Sequence, residues 1–330
     1  MKAFVLYLKN YFRELPLKTF LLTVLFIALL VGLNYTFGIE RRIRDLRPWW
    51  LSLGLFFLFY SFVFLSAWMI SGYPGRSNRA MPNEPVHPAK KKQFLFLLLL
   101  APLYFAFKMI HWDLSVFFPS GWPSPWDRYA QIVLQLPAKL LLLILLLLAC
   151  RKWTGWAPRV RGFRDLGVER SGDWEAGYEK NRKMGPYFLL LLFLLPLVAL
   201  ASTQHDFLQT YPKLRNITFI YPFTRPAWPW QLLYEISYGL DFVSIEFFFR
   251  GLLVVGLARY AGPDVILPMA AFYCTVHFGK PLGECISSFF GGLALGVIAW
   301  RTRSIRGGLI VHLGLAMMME IGGYLGASLL

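Results

Sequence analysis

Long apolar blocks alternate with short polar connections along the whole chain. Between Leu140 and Leu148, for example, the sequence reads LLLLILLLL. Apolar runs of about 18 or more residues allow a helix to cross the roughly 30 Å hydrocarbon layer of a membrane. The strands of a membrane β-barrel would alternate apolar and polar residues, and these blocks do not alternate. The pattern therefore predicts an all-α fold, a polytopic membrane helix bundle.

The blocks divide into candidate spans, from which we expect about eight or nine transmembrane helices. Gly279, Pro281 and Gly283 mark a break between the seventh and eighth spans. The predicted spans are Thr19 to Gly38, Trp50 to Ile70, Gln93 to Ile110, Tyr129 to Cys150, Pro186 to Ser202, Trp230 to Gly256, Asp264 to Gly283, Cys285 to Trp300 and Ile305 to Leu330.

Residues 1–18 precede the first span and have a different pattern. Phe4, Leu8, Tyr11 and Phe12 recur at helical spacing, and basic residues lie between them. An apolar face opposite a basic face is typical of a helix that lies in the plane of the membrane interface. We therefore predict a short interfacial amphipathic helix here.

Charge decides the predicted orientation. The formal net charge is +16, which in a soluble protein would suggest nucleic-acid binding. Here the basic residues lie in short connections, where Lys and Arg set membrane topology, so no nucleic-acid partner is expected. With the N-terminus inside, the inner segments hold more than twice as many Lys and Arg residues as the outer segments. We therefore predict a cytoplasmic N-terminus, cytoplasmic loops at Tyr73–Lys92 and Arg151–Gly185, and an outer C-terminus.

Ionisable residues inside spans are concentrated in the last third of the chain. Each is costly to insert into a membrane, which makes each a candidate for function. The first four spans contain no acidic residue. This contrast divides the chain into a transmembrane scaffold, residues 19–185, and a transmembrane core, residues 186–330. The candidate ionisable residues in or beside the core spans are Glu235, Asp241, Glu246, Arg250, His277, Glu284, His312 and Glu320.

Glu246 and Arg250 lie four residues apart in the sixth predicted span, on one helix face. The spacing leaves two interpretations open: an internal salt bridge that makes both charges tolerable, or a general base, Glu246, oriented by Arg250. At about 1.5 Å per residue, Glu246, His277 and His312 lie about 15, 20 and 10 Å from the inner ends of their predicted helices. These depths allow the three side chains to meet near the middle of the membrane.

A stripe of small residues marks the eighth predicted span. Ser288, Gly292 and Gly296 recur every four residues and therefore share one helix face. Small residues let the backbones of neighbouring membrane helices approach closely. We expect close helix packing on this face, which makes a shared site feasible.

Three short motifs in the core resemble those of a known family, the CAAX protease and bacteriocin-processing (CPBP) family of intramembrane endopeptidases. The family motifs EExxxR, FxxxH and HxxxN lie on successive helices. EFFFRG supplies Glu246 and Arg250 and looks like a bacterial variant of the first motif with a single glutamate. YCTVH supplies Tyr273 and His277, with Tyr in place of Phe, and His312 matches the histidine of the third motif.

The resemblance covers roughly residues 230–330 and implies hydrolysis of a peptide bond in a membrane-associated protein or peptide. It implies that Glu246 and His277 activate a water molecule and that His312 stabilises the oxyanion. If a divalent metal such as Zn is bound, it points to Glu246, His277 and His312 as the ligands. A bacterial member would lie in the inner, cytoplasmic membrane.

Two residues depart from the family pattern: Ile245 stands where a first glutamate is expected, and Ala316 where an asparagine is expected. Glu320 could compensate from the edge of the cavity or be only a helix-end charge near the outer interface. Glu284 could support the site or instead pair with Lys280. The departures leave open a catalytically inactive member that binds a membrane partner, and a transporter as the least favoured alternative.

Overall fold

The structure, a computed structural model, describes residues 2–72, 88–118, 122–154 and 184–329, and within these ranges it is helical with no strand. The predicted all-α bundle is confirmed. The α-helices are α1 (Lys2–Glu14), α2 (Leu17–Phe37), α3 (Ile39–Arg44), α4 (Trp49–Ser71), α5 (Pro88–Met109), α6 (Trp126–Thr154), α7 (Gly185–Ala201), α8 (His205–Thr210), α9 (Trp228–Glu246), α10 (Ala258–Ala261), α11 (Ile266–Thr275), α12 (Leu282–Thr302) and α13 (Arg306–Leu329).

The chain folds as two compact units, each built from segments that are distant in sequence. The first unit consists of Met1–Ile110, Leu148–Pro186 and Phe247–Gly308. The second unit consists of His111–Leu147, Tyr187–Glu246 and Leu309–Leu330. The family motifs are therefore distributed over both units.

Five helices of the described ranges are long and apolar enough to cross a membrane: α2, α4, most of α6, α12 and α13. Two shorter apolar helices, Phe94–Met109 within α5 and the whole of α7, correspond to the third and fifth predicted spans. Apolar side chains on the spans are widely exposed, for example Leu25 at 66% and Met69 at 74%. Exposed apolar surface of this kind suits contact with lipid. The protein is a multi-pass membrane protein.

The sixth predicted span is not one continuous α-helix. Helix α9 ends at Glu246, and residues Phe247–Gly256 continue as a π-helix. Every residue of the π-helix is buried, including Arg250. π-Helices are rare and occur frequently at functional sites.

The prediction of a single helix over Asp264–Gly283 is wrong. A short 3₁₀ segment precedes α11, which ends at Thr275 after ten residues. A turn follows, in which Gly279 has a φ of 81°. Glycine adopts this left-handed conformation without the steric cost that other residues meet. His277 consequently lies in the turn, beyond the end of α11.

Aromatic side chains form the core of the first unit around α11. The ring centre of Phe272 lies 5.3 Å from those of both Tyr60 and Phe64 on α4. It also lies 5.6 Å from Phe105 of α5 and 5.5 Å from Phe249 of the π-helix. Every residue of α11 is buried. These contacts hold in place the helix that carries Tyr273 and leads to His277.

The predicted stripe of small residues packs α12 against α11, as expected. A Cβ atom added at Gly292 would lie 2.7 Å from the ring of Tyr273. One added at Gly296 would lie 2.6 Å from Cε of Met269. A larger residue at either position would force the two helices apart, so the expected close packing is confirmed.

The N-terminal segment is helical, and α1 packs against α12 with Phe4, Tyr7 and Tyr11 buried. Its position in the membrane interface stays a prediction. The predicted cytoplasmic loops Tyr73–Lys92 and Arg151–Gly185 lie for the most part outside the described residues. Their orientation also stays a prediction.

In the second unit, glycines on α13 bring this helix against the backbone that follows α7. A Cβ atom added at Gly323 would lie 2.6 Å from the backbone nitrogen of Pro212, and one at Gly326 would lie 2.2 Å from the carbonyl oxygen of Ser202. Residues Lys213–Phe223 then form a 3₁₀ helix. Its buried side chains join α6 and α9 in one apolar cluster of Tyr129, Val133, Leu214, Ile217, Ile220 and Tyr234.

Candidate functional site

Glu246 and His312 are hydrogen-bonded to each other in the second unit. Glu246 is the last residue of α9, and its Oε1 lies 3.0 Å from Nδ1 of His312 on α13. The side chain of Glu246 is fully buried and that of His312 is 12% exposed. A buried carboxylate is stable only when a charged or hydrogen-bonding group compensates for its lost hydration. His312 provides such a group, which joins the first and third motifs.

The hydrogen bond with Glu246 bears on which nitrogen of His312 carries a proton. An ionised carboxylate only accepts hydrogen bonds, so the Nδ1–H of His312 donates to an ionised Glu246. In the neutral ring, Nε2 on the far side then carries no proton. When the ring is protonated, both nitrogens are donors. One imidazole can therefore hold the carboxylate and donate to an anion simultaneously.

Phe242 completes the arrangement around His312. It lies one helical turn before Glu246 on α9, and its ring centre is 4.8 Å from that of His312 in an edge-to-face contact. Gly239, another turn earlier, would bring an added Cβ within 3.7 Å of Leu313. The packing of α9 against α13 thus sets the hydrogen bond. Sequence reasoning missed Phe242, although its i−4 spacing from Glu246 could have indicated it.

In the first unit, Arg250 and His277 both contact Tyr273. The guanidinium carbon of Arg250 lies 4.3 Å from the centre of the Tyr273 ring, a cation–π contact. The His277 ring centre lies 4.6 Å from that of Tyr273. Nδ1 of His277 lies 2.9 Å from the carbonyl oxygen of Tyr273 and must donate to it, since a carbonyl only accepts. In the neutral ring, Nε2 of His277 then carries no proton.

The structure brings together some of the predicted site residues within each unit. Glu246 pairs with His312 in the second unit, whereas Arg250, Tyr273 and His277 form a cluster in the first. A single site that contains Glu246, His277 and His312 stays a prediction, and so does the ion pair between Glu246 and Arg250.

The described residues contain no group of three or more His, Cys, Asp or Glu side chains arranged to hold a metal ion. Two of the donors that the family resemblance implies, Glu246 and His312, are hydrogen-bonded to each other. The ligand set of Glu246, His277 and His312 stays a prediction.

The two predicted supporting glutamates have specific partners. Glu284 accepts from Nζ of Lys280 at 3.3 Å, as one of the two alternatives predicted. Glu320 is buried and accepts from the backbone N–H groups of Lys213 and Leu214, at 2.8 and 3.3 Å. Its carboxylate therefore anchors the start of the 3₁₀ helix. Ala316, which replaces the expected asparagine, is buried one turn from His312.

Comparison with protein families gives one match. Residues 228–318 match the family described as Rce1-like, type II CAAX prenyl endopeptidase Rce1-like. The match confirms the resemblance seen in the sequence and includes all five motif residues, although it covers only about a quarter of the chain. Searches of curated proteins and of solved structures gave no significant match.

Proposed function

We propose that this multi-pass membrane protein is an intramembrane endopeptidase, because residues 228–318 match the Rce1-like family of type II CAAX prenyl endopeptidases. It hydrolyses a peptide bond in a membrane-associated protein or peptide. The observation that carries the proposal is the buried hydrogen bond between Glu246 and His312, which pairs a carboxylate with an imidazole inside the matched segment.

Glu246 is the general base of the proposed reaction. A water molecule attacks the carbonyl carbon of the scissile peptide bond, and its proton passes to the carboxylate of Glu246. The same proton is then delivered to the leaving nitrogen as the C–N bond breaks. Atoms and charge balance without a further reactant.

His312 stabilises the negative oxygen that forms when water attacks. Its Nδ1–H remains bonded to Glu246, and a protonated Nε2 donates to the oxyanion. A donor fixed in a water-poor site stabilises developing charge more strongly than the same donor in water. The edge contact with Phe242 shields one side of the imidazole from water. The match of His277 to the family motif supports a role for this residue in activating the attacking water.

The protein lies in the inner membrane of a bacterial cell in this proposal, with its N-terminus in the cytoplasm. The excess of Lys and Arg in the inner segments supports this orientation. Multi-pass architecture and an intramembrane protease domain favour a substrate that reaches the site from the lipid phase.

A catalytically inactive member that binds a membrane peptide is the second candidate. Ile245 and Ala316, in place of a glutamate and an asparagine, favour it because the family site then lacks two polar groups. Binding without cleavage by the wild-type protein, together with cleavage after Ile245→Glu and Ala316→Asn, would establish this alternative.

Peptide cleavage by the purified protein tests the proposal. We expect wild-type protein in liposomes to cleave at least one member of a panel of lipidated and transmembrane peptides, and Glu246→Gln to abolish the cleavage. Asp113→Asn is the matched control, because this carboxylate is exposed and bonds only locally to Ser115. Equal cleavage by wild-type and Glu246→Gln protein would contradict the proposal, and solute flux without cleavage would favour a transporter.

A further inference from the structure

The turn that carries His277 is held by a corner of the chain far away in sequence. We call residues Asn34–Arg44, at the junction of α2 and α3, the α2–α3 corner. Gly38 has a φ of 61° there, which allows α2 to end and α3 to begin at once. The side-chain oxygen of buried Asn34 accepts from the backbone N–H of Glu40 at 2.9 Å. The hydrogen bond and the backbone conformation of Gly38 therefore hold the α2–α3 corner in one conformation.

Glu40 of this corner lies directly against the backbone of Gly279. Its side chain is 3% exposed and forms an ion pair with Arg44. A Cβ atom added at Gly279 would lie 2.7 Å from Oε2 of Glu40. Because Gly279 also has a φ of 81°, both its backbone conformation and its contact with Glu40 require glycine. The carboxylate closes one side of the turn.

Two further contacts fix the same turn. The O–H of Tyr35, in the last turn of α2, donates to the carbonyl oxygen of Lys280 at 2.5 Å. Phe59 of α4 lies 6.0 Å from Phe278, ring centre to ring centre. The residue on each side of Gly279 is thus contacted by a helix from the first quarter of the chain.

His277 depends on this turn because it lies beyond the end of α11. Its backbone N–H donates to the carbonyl oxygen of Cys274 at 3.0 Å, and its own carbonyl oxygen accepts from Lys280 at 3.1 Å. These turn hydrogen bonds and the contacts with Tyr273 hold it locally. A shift of the turn at Gly279 and Lys280 would therefore move the His277 imidazole.

We propose that the α2–α3 corner is a positioning device for His277, in which Tyr35 and Glu40 fix the turn at Gly279 and Lys280. Neither residue reacts; both act through the backbone of the turn. They lie outside the matched segment 228–318. The inference rests on the proposed function for the role of His277, and on the contacts alone for the fixing of the turn.

Hydrogen exchange measured by mass spectrometry on the full-length protein in nanodiscs tests the fixing of the turn. In Tyr35→Phe, we expect the amides of residues 277–280 to exchange about tenfold faster, the change that loss of one typical hydrogen bond produces. In Glu40→Ala, we expect faster exchange because the side chain packed against Gly279 is lost. Arg41→Ala is the matched control on α3, since its side chain is exposed and pairs with exposed Asp45. Unchanged exchange in both variants would overturn the proposal.

Peptide cleavage by the same variants tests the positioning role. We expect kcat to fall by about tenfold or more at unchanged KM in both variants, because misplacement affects the chemical step more than binding. Glu40→Gln, which keeps the shape of the side chain, should retain more activity than Glu40→Ala. Faster exchange with unchanged kcat would overturn the positioning role. Absence of cleavage by wild-type protein would contradict the proposed function alone, while the exchange result would still decide whether the corner fixes the turn.

Discussion

At the scale of single residues, Arg250 is a charged group that the fold buries completely. Its guanidinium is fully buried, and the contact with Tyr273 stabilises its charge. Such a residue persists in a membrane protein when the surrounding structure compensates for its lost hydration. The residues that surround Arg250 must therefore compensate for its lost hydration.

Arg250→Ala should reduce the amount of folded protein, with a loss of about 2 kcal/mol or more in the free energy of unfolding. It removes the cation–π contact, leaves a cavity, and strands Glu246 if the predicted pair forms. Glu246→Gln should be milder because the shape is kept. Yield after size-exclusion chromatography and thermal unfolding measure the effect, with exposed Arg306→Ala as the control. Equal yields for wild type and Arg250→Ala would show that the buried charge contributes little.

Gly279→Ala should destabilise the protein by about 1–3 kcal/mol, the usual cost of a strained backbone position. The new Cβ would meet Glu40 at 2.7 Å, and φ would remain at 81° only under strain. Gly283→Ala is the matched control, since an added Cβ there meets nothing within 4 Å. Thermal unfolding that is shifted equally by the two substitutions would contradict this reading of the turn.

The motif residues can be recognised in the sequence, but their arrangement in space can be predicted only in part. The bond between Glu246 and His312 agrees with the similar depths estimated for these residues. The prediction that His277 lies within a helix is wrong, because α11 ends at Thr275 and His277 lies in the turn that follows. The contact of Glu40 with Gly279 joins residues about 240 positions apart in one sequence, and local pattern carries no signal for such a contact.

At the scale of elements, the spacing of apolar residues predicts the helices. The Gly and Pro residues between them do not always predict where a helix ends. Helices α2, α4 and α12 lie within a few residues of their predicted limits. The change from α9 to a π-helix could not be predicted, because the apolar residues of Phe247–Gly256 suit either geometry. Gly279 and Pro281 did indicate a break, but the helix ends four residues before the first of them.

Glu320 ties α13 to the 3₁₀ helix Lys213–Phe223, and its removal should loosen that element. Glu320→Ala leaves two backbone N–H groups without their acceptor, a cost of about 1–3 kcal/mol. We expect faster hydrogen exchange at Lys213 and Leu214, and a smaller effect for Glu320→Gln, which keeps one acceptor. Met317→Ala, exposed on the same helix, should leave exchange unchanged. Equal exchange in wild type and Glu320→Ala would show that the anchor is dispensable.

At the scale of the whole molecule, the membrane orientation is a prediction that rests on the distribution of Lys and Arg. We predict that a cysteine replacing Ser171, in the loop Arg151–Gly185, is labelled by an impermeant maleimide only after cells are permeabilised. A cysteine replacing Asp45, in the first outer connection, should be labelled in intact cells. A Cys150→Ser background keeps only the buried Cys274 and Cys285. Labelling of the Ser171 position in intact cells would contradict the predicted topology and show that this loop faces outward.

The central claim is that Glu246, His277 and His312 act as one hydrolytic site, and a mutant cycle of cleavage rates tests it most directly. Residues that act as a unit give non-additive losses, because removal of the second member costs little once the first is gone. For a peptide that wild-type protein cleaves, Glu246→Gln, His277→Ala and His312→Ala should each lower kcat by about 10³-fold or more, and the double variants should be no slower. Wild-type rates in any of the three single variants, or losses that multiply in the double variants, would contradict the account.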